Sequence, residues 1–153
     1  MTFYRPKKRK LNNKPTIVMG QSFASQWEAD RYLQLLYLEQ QGVIRDLRTQ
    51  VKFELIPAIR EPDTVGKRGG IKQGKVIERA VNYVADFTYV KNGETIVEDT
   101  KGYTDTSSAT YKVFVIKRKL MLWRYGIAVK EIKQNAYVKV RGHFNNGVTG
   151  YER

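Results

Sequence analysis

Two aspartates and a lysine within twenty residues have the types and the spacing of a cation site. The stretch is "YVADFTYVKNGETIVEDTKG", residues 83–102, and the three residues are Asp86, Asp99 and Lys101. The Asn-Gly pair near its centre is the strongest short signal for a two-residue hairpin turn, because both turn positions need a positive φ angle. The stretch therefore predicts two antiparallel strands joined at residues 92–93.

The two-residue turn fixes the register of this hairpin. Counting outward from the turn pairs Asp86 with Asp99. Because strand side chains alternate between faces, Lys101 is expected on the same face as both aspartates. The opposite face is expected to carry Phe87, Tyr89, Ile96 and Glu98.

A facing pair of carboxylates opposes folding unless something cationic lies between them. Magnesium accepts one or two carboxylates and completes its shell with waters and substrate phosphate. We therefore expect Asp86 and Asp99 to hold Mg²⁺, with the backbone carbonyl of Thr100 as a further ligand. Lys101 would orient an attacking water or stabilise developing negative charge. A frayed strand end in water, or a bulge that breaks the register, is the alternative.

Glu28 is a third acid with two roles open to it. Ser25 followed by Glu28 matches a capping box at the start of a helix over residues 25–41, which Gly42 would close. The same carboxylate would reach the metal site if this end of the helix packs beside the hairpin.

The remaining sequence predicts the elements that position these residues. They are a helix at 25–41, strands at 48–57, 76–90 and 95–101, a helix at 107–125, a strand at 127–132 and a short edge strand at 136–141. This order predicts a mixed α/β sheet with helices packed on it. The side chains expected in the core of the two helices are Trp27, Leu33, Leu36, Val113, Phe114, Ile116, Leu120 and Met121.

The length of 153 residues predicts one domain. Residues 1–16 are expected to form a flexible basic arm, and residues 17–153 the domain. Within it, residues 58–75 form a mobile basic loop, and residues 133–153 an extension of uncertain structure.

The net charge of +13 favours a polyanionic partner over a surface tuned for solubility. The basic residues expected to contact phosphates are Arg5, Lys7, Lys8, Arg9, Lys10, Lys67, Arg68, Lys72, Lys75, Lys112, Lys117 and Arg118. The chain has no cysteine, which excludes disulfides and thiolate-bound zinc. No apolar run approaches the length of a membrane span.

These motifs together resemble the PD-(D/E)XK nuclease superfamily. "ADF" at 85–87 and "EDTKG" at 98–102 are similar to its signature, and "FASQWEADRYLQLL" at 23–36 is similar to its first helix. Ala85 replaces the signature proline. In many members that helix supplies a metal-associated glutamate, and Glu28 is the matching residue. The arrangement resembles short phage and prophage endonucleases of the Holliday junction resolvase type.

The resemblance implies a restriction-endonuclease-like core and a magnesium-dependent endodeoxyribonuclease, in which Mn²⁺ can substitute. The expected catalytic residues are Asp86, Asp99, Lys101 and Glu28. It also implies a homodimer that cleaves branched DNA in the cytoplasm, which is the host's if the chain is phage-encoded, without a membrane or a small-molecule cofactor. The alternatives are a non-catalytic nucleic-acid-binding module, or a nicking or repair nuclease acting on plain duplex or single strands.

Overall fold

The computed structural model describes residues 15–102 and 105–134. The elements are β1 (Thr16–Val18), β2 (Gln21–Phe23), α1 (Gln26–Gln40), β3 (Arg45–Ile56), β4 (Ile59–Arg60), β5 (Thr64–Val65), β6 (Ile71–Lys72), β7 (Val76–Glu78), β8 (Val81–Lys91), β9 (Glu94–Lys101), α2 (Ala109–Tyr125) and β10 (Val129–Lys133). The predicted order of the core elements is confirmed as α1, β3, β8, β9, α2 and β10.

The central sheet has four strands in the order β10-β9-β8-β3. β8 is antiparallel to both of its neighbours, whereas β10 lies parallel to β9. A parallel pair needs a crossover connection, and α2 provides it between β9 and β10. The predicted mixed α/β sheet is therefore confirmed. Within the described residues, no helix is long and apolar enough to cross a membrane.

The β8–β9 hairpin has the predicted turn and register. Asn92 and Gly93 have φ angles of 53° and 83°, as a primed two-residue turn requires. The ladder runs from the pair next to the turn to Phe87 opposite Glu98, and it ends there. Asp86 therefore does not pair with a β9 residue in the ladder, which corrects the expected direct opposition to Asp99.

The two helices cover opposite faces of the sheet, each over its own apolar cluster. The α2 cluster contains Leu55, Tyr83, Ala85, Val97, Phe114, Met121 and Val129. The α1 cluster contains Phe23, Ala29, Leu35, Ile44, Phe87 and Tyr89. On β9, Val97 belongs to the α2 cluster while its neighbour Ile96 packs against the α1 cluster. Adjacent strand residues point to opposite faces, so the clusters lie on opposite sides.

Strand β8 changes sides at Asp86. Regular alternation would put Ala85 and Phe87 on the same face, but Ala85 packs under α2 and Phe87 under α1. The ladder between β3 and β8 pairs Val51 with Ala85 and then Thr49 with Phe87, without pairing the residues between them. The β3 residue at that position, Gln50, has a φ of 52°.

Helix α1 begins and ends as its sequence predicts. The Ser25 side chain accepts a hydrogen bond from the Glu28 N–H at 3.2 Å. At the other end Gly42 has a φ of 70°, and the N–H groups of Gly42 and Val43 donate to the carbonyls of Glu39 and Leu38. These two bonds form the Schellman motif, so the predicted left-handed glycine cap is confirmed.

Two expected core positions are wrong, and both lie on α2. On α2, Val113 is 50% exposed and Ile116 is 59% exposed, whereas Phe114 and Met121 are buried. On α1, Leu35 is fully buried, and the expected Leu33 and Leu36 are half-buried.

The strand bounds also differ from the prediction. β3 begins at Arg45, and the strand expected over 76–90 is broken, because β7 pairs with β4 before β8 begins at Val81. The loop at 58–75 contains three short strands, β4, β5 and β6. The basic arm at 1–14, the edge strand expected at 136–141 and the extension beyond residue 134 lie outside the described residues.

Candidate functional site

The carboxylate of Asp86 lies where β8 changes sides, and β9 holds it in place. Its Oδ2 accepts hydrogen bonds from the Thr100 N–H and the Thr100 hydroxyl, both at 2.7 Å. Its Oδ1 lies 3.4 Å from Gln50 Nε2. The side chain therefore bonds to the β9 residue beside Asp99. Thr100 thus contacts Asp86 through its N–H and hydroxyl, and the role of its carbonyl oxygen stays a prediction.

Asp99 and Lys101 form an ion pair on the α2 side of β9. Lys101 Nζ lies 2.5 Å from Asp99 Oδ2, and it stands 4.1 Å from the centroid of the Phe114 ring. Asp99 is only 5% exposed. The ammonium is therefore held between a buried carboxylate and an aromatic face.

Burial raises the pKa of Asp99 to about 6, although Lys101 acts in the opposite direction. The charges of Asp86 and Glu131 raise this pKa further. The ionised form of Asp99 is thus costly in the folded protein, as expected for a group that lies close to other carboxylates and away from water. An added cation would remove this cost.

Glu28 contacts the start of α1 with one oxygen and the Gln50 amide with the other, and its role toward a metal stays a prediction. Its Oε2 accepts a hydrogen bond from the Ala24 N–H at 3.0 Å, one residue earlier than the capping box predicts. Its Oε1 accepts from Gln50 Nε2 at 2.8 Å, and the same amide faces Asp86. Burial, followed by the charge of Asp86, raises the pKa of Glu28. The start of α1 therefore does pack beside the hairpin.

Gln50 is a site residue that the sequence does not indicate. Its left-handed backbone is a conformation that costs about 1–3 kcal/mol in a residue other than glycine. That backbone directs its amide between Glu28 and Asp86, where it separates two carboxylates that would otherwise repel each other. Strain of this kind concentrates at functional sites.

Glu131 is a second residue that sequence reasoning missed. It lies opposite Asp99 in the parallel β9–β10 ladder. Its carboxylate pairs with Arg118 and accepts a hydrogen bond from the Tyr111 hydroxyl at 3.2 Å. The available signal was an acid in a predicted strand of an otherwise basic segment. The register of β10 against β9 depends on how α2 packs, so the sequence does not reveal that Glu131 lies opposite Asp99.

Glu98, the neighbour of Asp99, belongs to the opposite face, as predicted. It is 1% exposed, and Arg31 binds it through two bonds of 2.8 and 2.6 Å. The Tyr89 hydroxyl donates a third bond at 2.6 Å. Its charge is thus neutralised inside the α1 cluster, which leaves Asp99 as the acid of the "EDTKG" motif that faces Lys101.

The acidic residues fit a magnesium ion through two carboxylates. Among the described residues, no three acidic, histidine or cysteine side chains converge closely enough to form a complete metal cage. Magnesium does not need such a cage, because it keeps several waters and takes one or two carboxylates together with substrate phosphate. Asp86 and Asp99 are the carboxylates that would take this role, and burial first, followed by the charges of Asp86 and Glu131, raises the pKa of Asp99.

The basic residues expected to bind DNA have different environments. Lys67, Arg68, Lys72 and Lys75 are exposed on or beside the β5–β6 hairpin. On α2, Lys112 is exposed, whereas Lys117 and Arg118 are half-buried. Arg118 is paired with Glu131, so it is part of the acidic site's surroundings. The basic residues of the N-terminal arm lie outside the described residues.

The fold and site define an α/β protein in which the start of α1 and strand β8 bring two carboxylates, those of Glu28 and Asp86, to the Gln50 amide. The chain belongs to the family described as a protein of unknown function, DUF1064, whose model matches residues 8–144. No curated protein matches this chain, and no solved structure matches it.

Proposed function

We propose that this protein is a magnesium-dependent DNA endonuclease with a restriction-endonuclease-like core, selective for branched DNA. The observation that carries the proposal is that Asp86, where β8 changes sides, bonds to Thr100, the residue between Asp99 and Lys101. Glu28 joins them through Gln50. A chain with net charge +13 has few reasons to concentrate carboxylates at one point unless they bind a cation.

The residues have separable roles in hydrolysis of a phosphodiester. Magnesium bound by Asp86 and Asp99 would supply Lewis-acid stabilisation of charge on the phosphate. Lys101 has three N–H donors, and one of them contacts Asp99. Another can donate to the attacking water or stabilise the negative charge that develops on the phosphate. Thr100 fixes the Asp86 carboxylate by two short hydrogen bonds, which limits its motion during the reaction.

Selectivity for branched DNA and action as a homodimer are the finer parts of the proposal, and they rest on the resemblance to resolvase-type endonucleases. The exposed lysines and arginine beside the β5–β6 hairpin support a DNA partner, because contacts of this kind position a protein on phosphates. A binding module without catalysis would use the same basic surface. It would gain nothing from paired acids that repel the phosphate backbone.

The experiment is cleavage of an end-labelled four-way junction beside duplex and single strands of the same sequence, with Mg²⁺ or with a chelator. We expect magnesium-dependent products from the junction. Asp86→Asn should lower cleavage by at least about a hundredfold while the junction is still bound. Glu94→Gln, a change of an exposed acid at the turn end of β9, is the matched control and should cleave normally.

Each outcome separates the candidates. Equal cutting of all three substrates would reject junction selectivity and favour a general nicking or repair nuclease. Binding without any metal-dependent product would favour the binding module. Undiminished cleavage by Asp86→Asn would refute the proposed site.

A further inference from the structure

The hydroxyl of Tyr83 is a buried polar group whose hydrogen-bonding capacity is unused by the part of the chain that the structure describes. Tyr83 is 4% exposed, and within residues 15–102 and 105–134 its hydroxyl oxygen has no hydrogen-bond partner. Burying a hydroxyl without a partner is unfavourable, and native folds rarely retain such a group without a reason.

The ring of Tyr83 packs in the α2 cluster, beside the ring of Phe114. Its centroid is 6.4 Å from the Phe53 centroid and 6.4 Å from the Phe114 centroid. Phe114 in turn supports the Lys101 ammonium on its face. Packing on two sides fixes the orientation of the tyrosine, and it lies three residues before Asp86 on the same strand.

The negative charges of three carboxylates act on this hydroxyl, although none of them accepts its hydrogen bond. Burial raises the pKa of Tyr83, and the negative charges of Asp99 and Asp86, followed by that of Glu131, raise it further. Each carboxylate bonds elsewhere: Asp86 to Thr100, Asp99 to Lys101, and Glu131 to Arg118 and Tyr111. The hydroxyl donor is therefore left for a partner that the described residues do not supply.

We propose that Tyr83 is a positioning residue of the acidic site, whose hydroxyl donates a hydrogen bond to an oxygen ligand taken up beside Asp86 and Asp99. The ligand is a water or a phosphate oxygen that enters with the divalent cation. The inference rests on the proposed function, because it assumes that the two aspartates bind such a cation. It explains why the hydroxyl is kept although the surrounding residues leave it unbonded.

The same strand provides a matched control. Tyr89 is also buried, at 6% exposure, but its hydroxyl is bonded to Glu98 at 2.6 Å on the opposite face of the sheet. Removing one hydroxyl or the other by substitution with phenylalanine keeps both rings. The two variants should therefore behave in opposite ways.

The experiment measures Mn²⁺ binding to the full chain by isothermal titration calorimetry and, without cation, the midpoint of urea denaturation. Tyr83→Phe should bind Mn²⁺ about three- to tenfold more weakly, as the loss of one hydrogen bond predicts, while its midpoint stays equal or rises. Tyr89→Phe should show a lower midpoint and an unchanged Mn²⁺ affinity.

The outcomes separate this inference from the proposed function. Wild-type affinity in Tyr83→Phe would overturn the inference and leave the nuclease proposal standing. A fall in both midpoint and affinity would show that the hydroxyl supports the fold, which also overturns the inference. Absence of Mn²⁺ binding by the wild-type protein would overturn both proposals.

Discussion

Replacing Asp99 by asparagine should stabilise the protein at pH 8, although it removes a predicted metal ligand. The reason is the pKa of about 6 in the folded protein, compared with an ordinary value of 3.8. Above pH 6 the buried carboxylate is ionised in both states, and the folded state alone bears the cost of burying the charge. As the pH falls through 6 toward 3.8 the folded state takes up a proton first, and the cost is progressively lost.

The difference between the two pKa values corresponds to about 3 kcal/mol at pH 8. This value already includes the attraction of Lys101, which lowers the pKa of Asp99. Asparagine keeps the shape and can still accept a hydrogen bond from Lys101, but the ammonium loses its counterion. We therefore expect a gain of about 1–3 kcal/mol in the free energy of unfolding, or about 2–4 °C in Tm for each kcal/mol.

Urea denaturation in the presence of a chelator measures this gain, with the fluorescence of the buried Trp27 as a signal. The gain should be near its maximum at pH 8 and should nearly disappear at pH 4, where Asp99 is protonated in the folded wild type. Glu94→Gln, an exposed control, should change stability by no more than about 0.5 kcal/mol at either pH. A loss of stability for Asp99→Asn at pH 8 would refute the reasoning.

The divalent ion should reverse the order of the two proteins. A ligand that binds only the folded state stabilises it by about 2.7 kcal/mol at a concentration one hundred times Kd. Saturating Mg²⁺ should therefore stabilise the wild type and leave Asp99→Asn unchanged. Equal stabilisation of both would place the cation elsewhere on the chain.

Two further predictions follow from the ionised groups around the sheet. The apparent affinity for Mn²⁺ should be constant above about pH 7 and should fall about tenfold per pH unit below 6, because protons compete with the cation for Asp99. Calorimetry from pH 5 to 8 tests this prediction. An affinity that does not change with pH would contradict it. Arg31→Met should cost about 3–5 kcal/mol of unfolding free energy at neutral pH, because it leaves the buried Glu98 carboxylate without its ion pair. Urea denaturation measures that cost, and a loss below 1 kcal/mol would mean that Glu98 finds another partner.

The hairpin could be predicted from sequence because its determinants are local. The Asn-Gly turn sets the register by its own backbone conformation, and that register holds as far as Phe87 opposite Glu98. The helix caps at Ser25 and Gly42 are local in the same sense. The placement of Asp99 and Lys101 on one face followed from simple alternation along β9.

The side switch at Asp86 could not be predicted from sequence. Gln50 has the left-handed backbone that glycine or asparagine usually supplies, and nothing in its residue type signals this. The conformation is imposed by packing on both sides of the strand pair, which is a tertiary effect. Counting alternate residues along β8 past this point therefore assigns side chains to the wrong face of the sheet.

Two core positions of α2, Val113 and Ile116, were mistaken for a related reason. Its last turn is tied to β3: Arg124 donates to the Leu55 carbonyl at 3.0 Å and Tyr125 to the Glu54 carbonyl at 2.7 Å. These contacts, between residues about seventy positions apart, set the rotation of the helix. Val113 and Ile116 consequently face outward, whereas Arg118 of α2 faces the sheet and pairs with Glu131 of β10.

The separation of the apolar interior into two clusters has a consequence for how the molecule opens. Each cluster joins one helix to one face of the sheet, so α1 can detach without exposing the residues beneath α2, and the reverse also holds. Amide hydrogen exchange should then resolve two cooperative units with different opening free energies, separated by the protected strands β8 and β9. Asp86 lies on the boundary between these units, and its bonds to Thr100 join β8 to β9, so its carboxylate should stay in place when either helix opens.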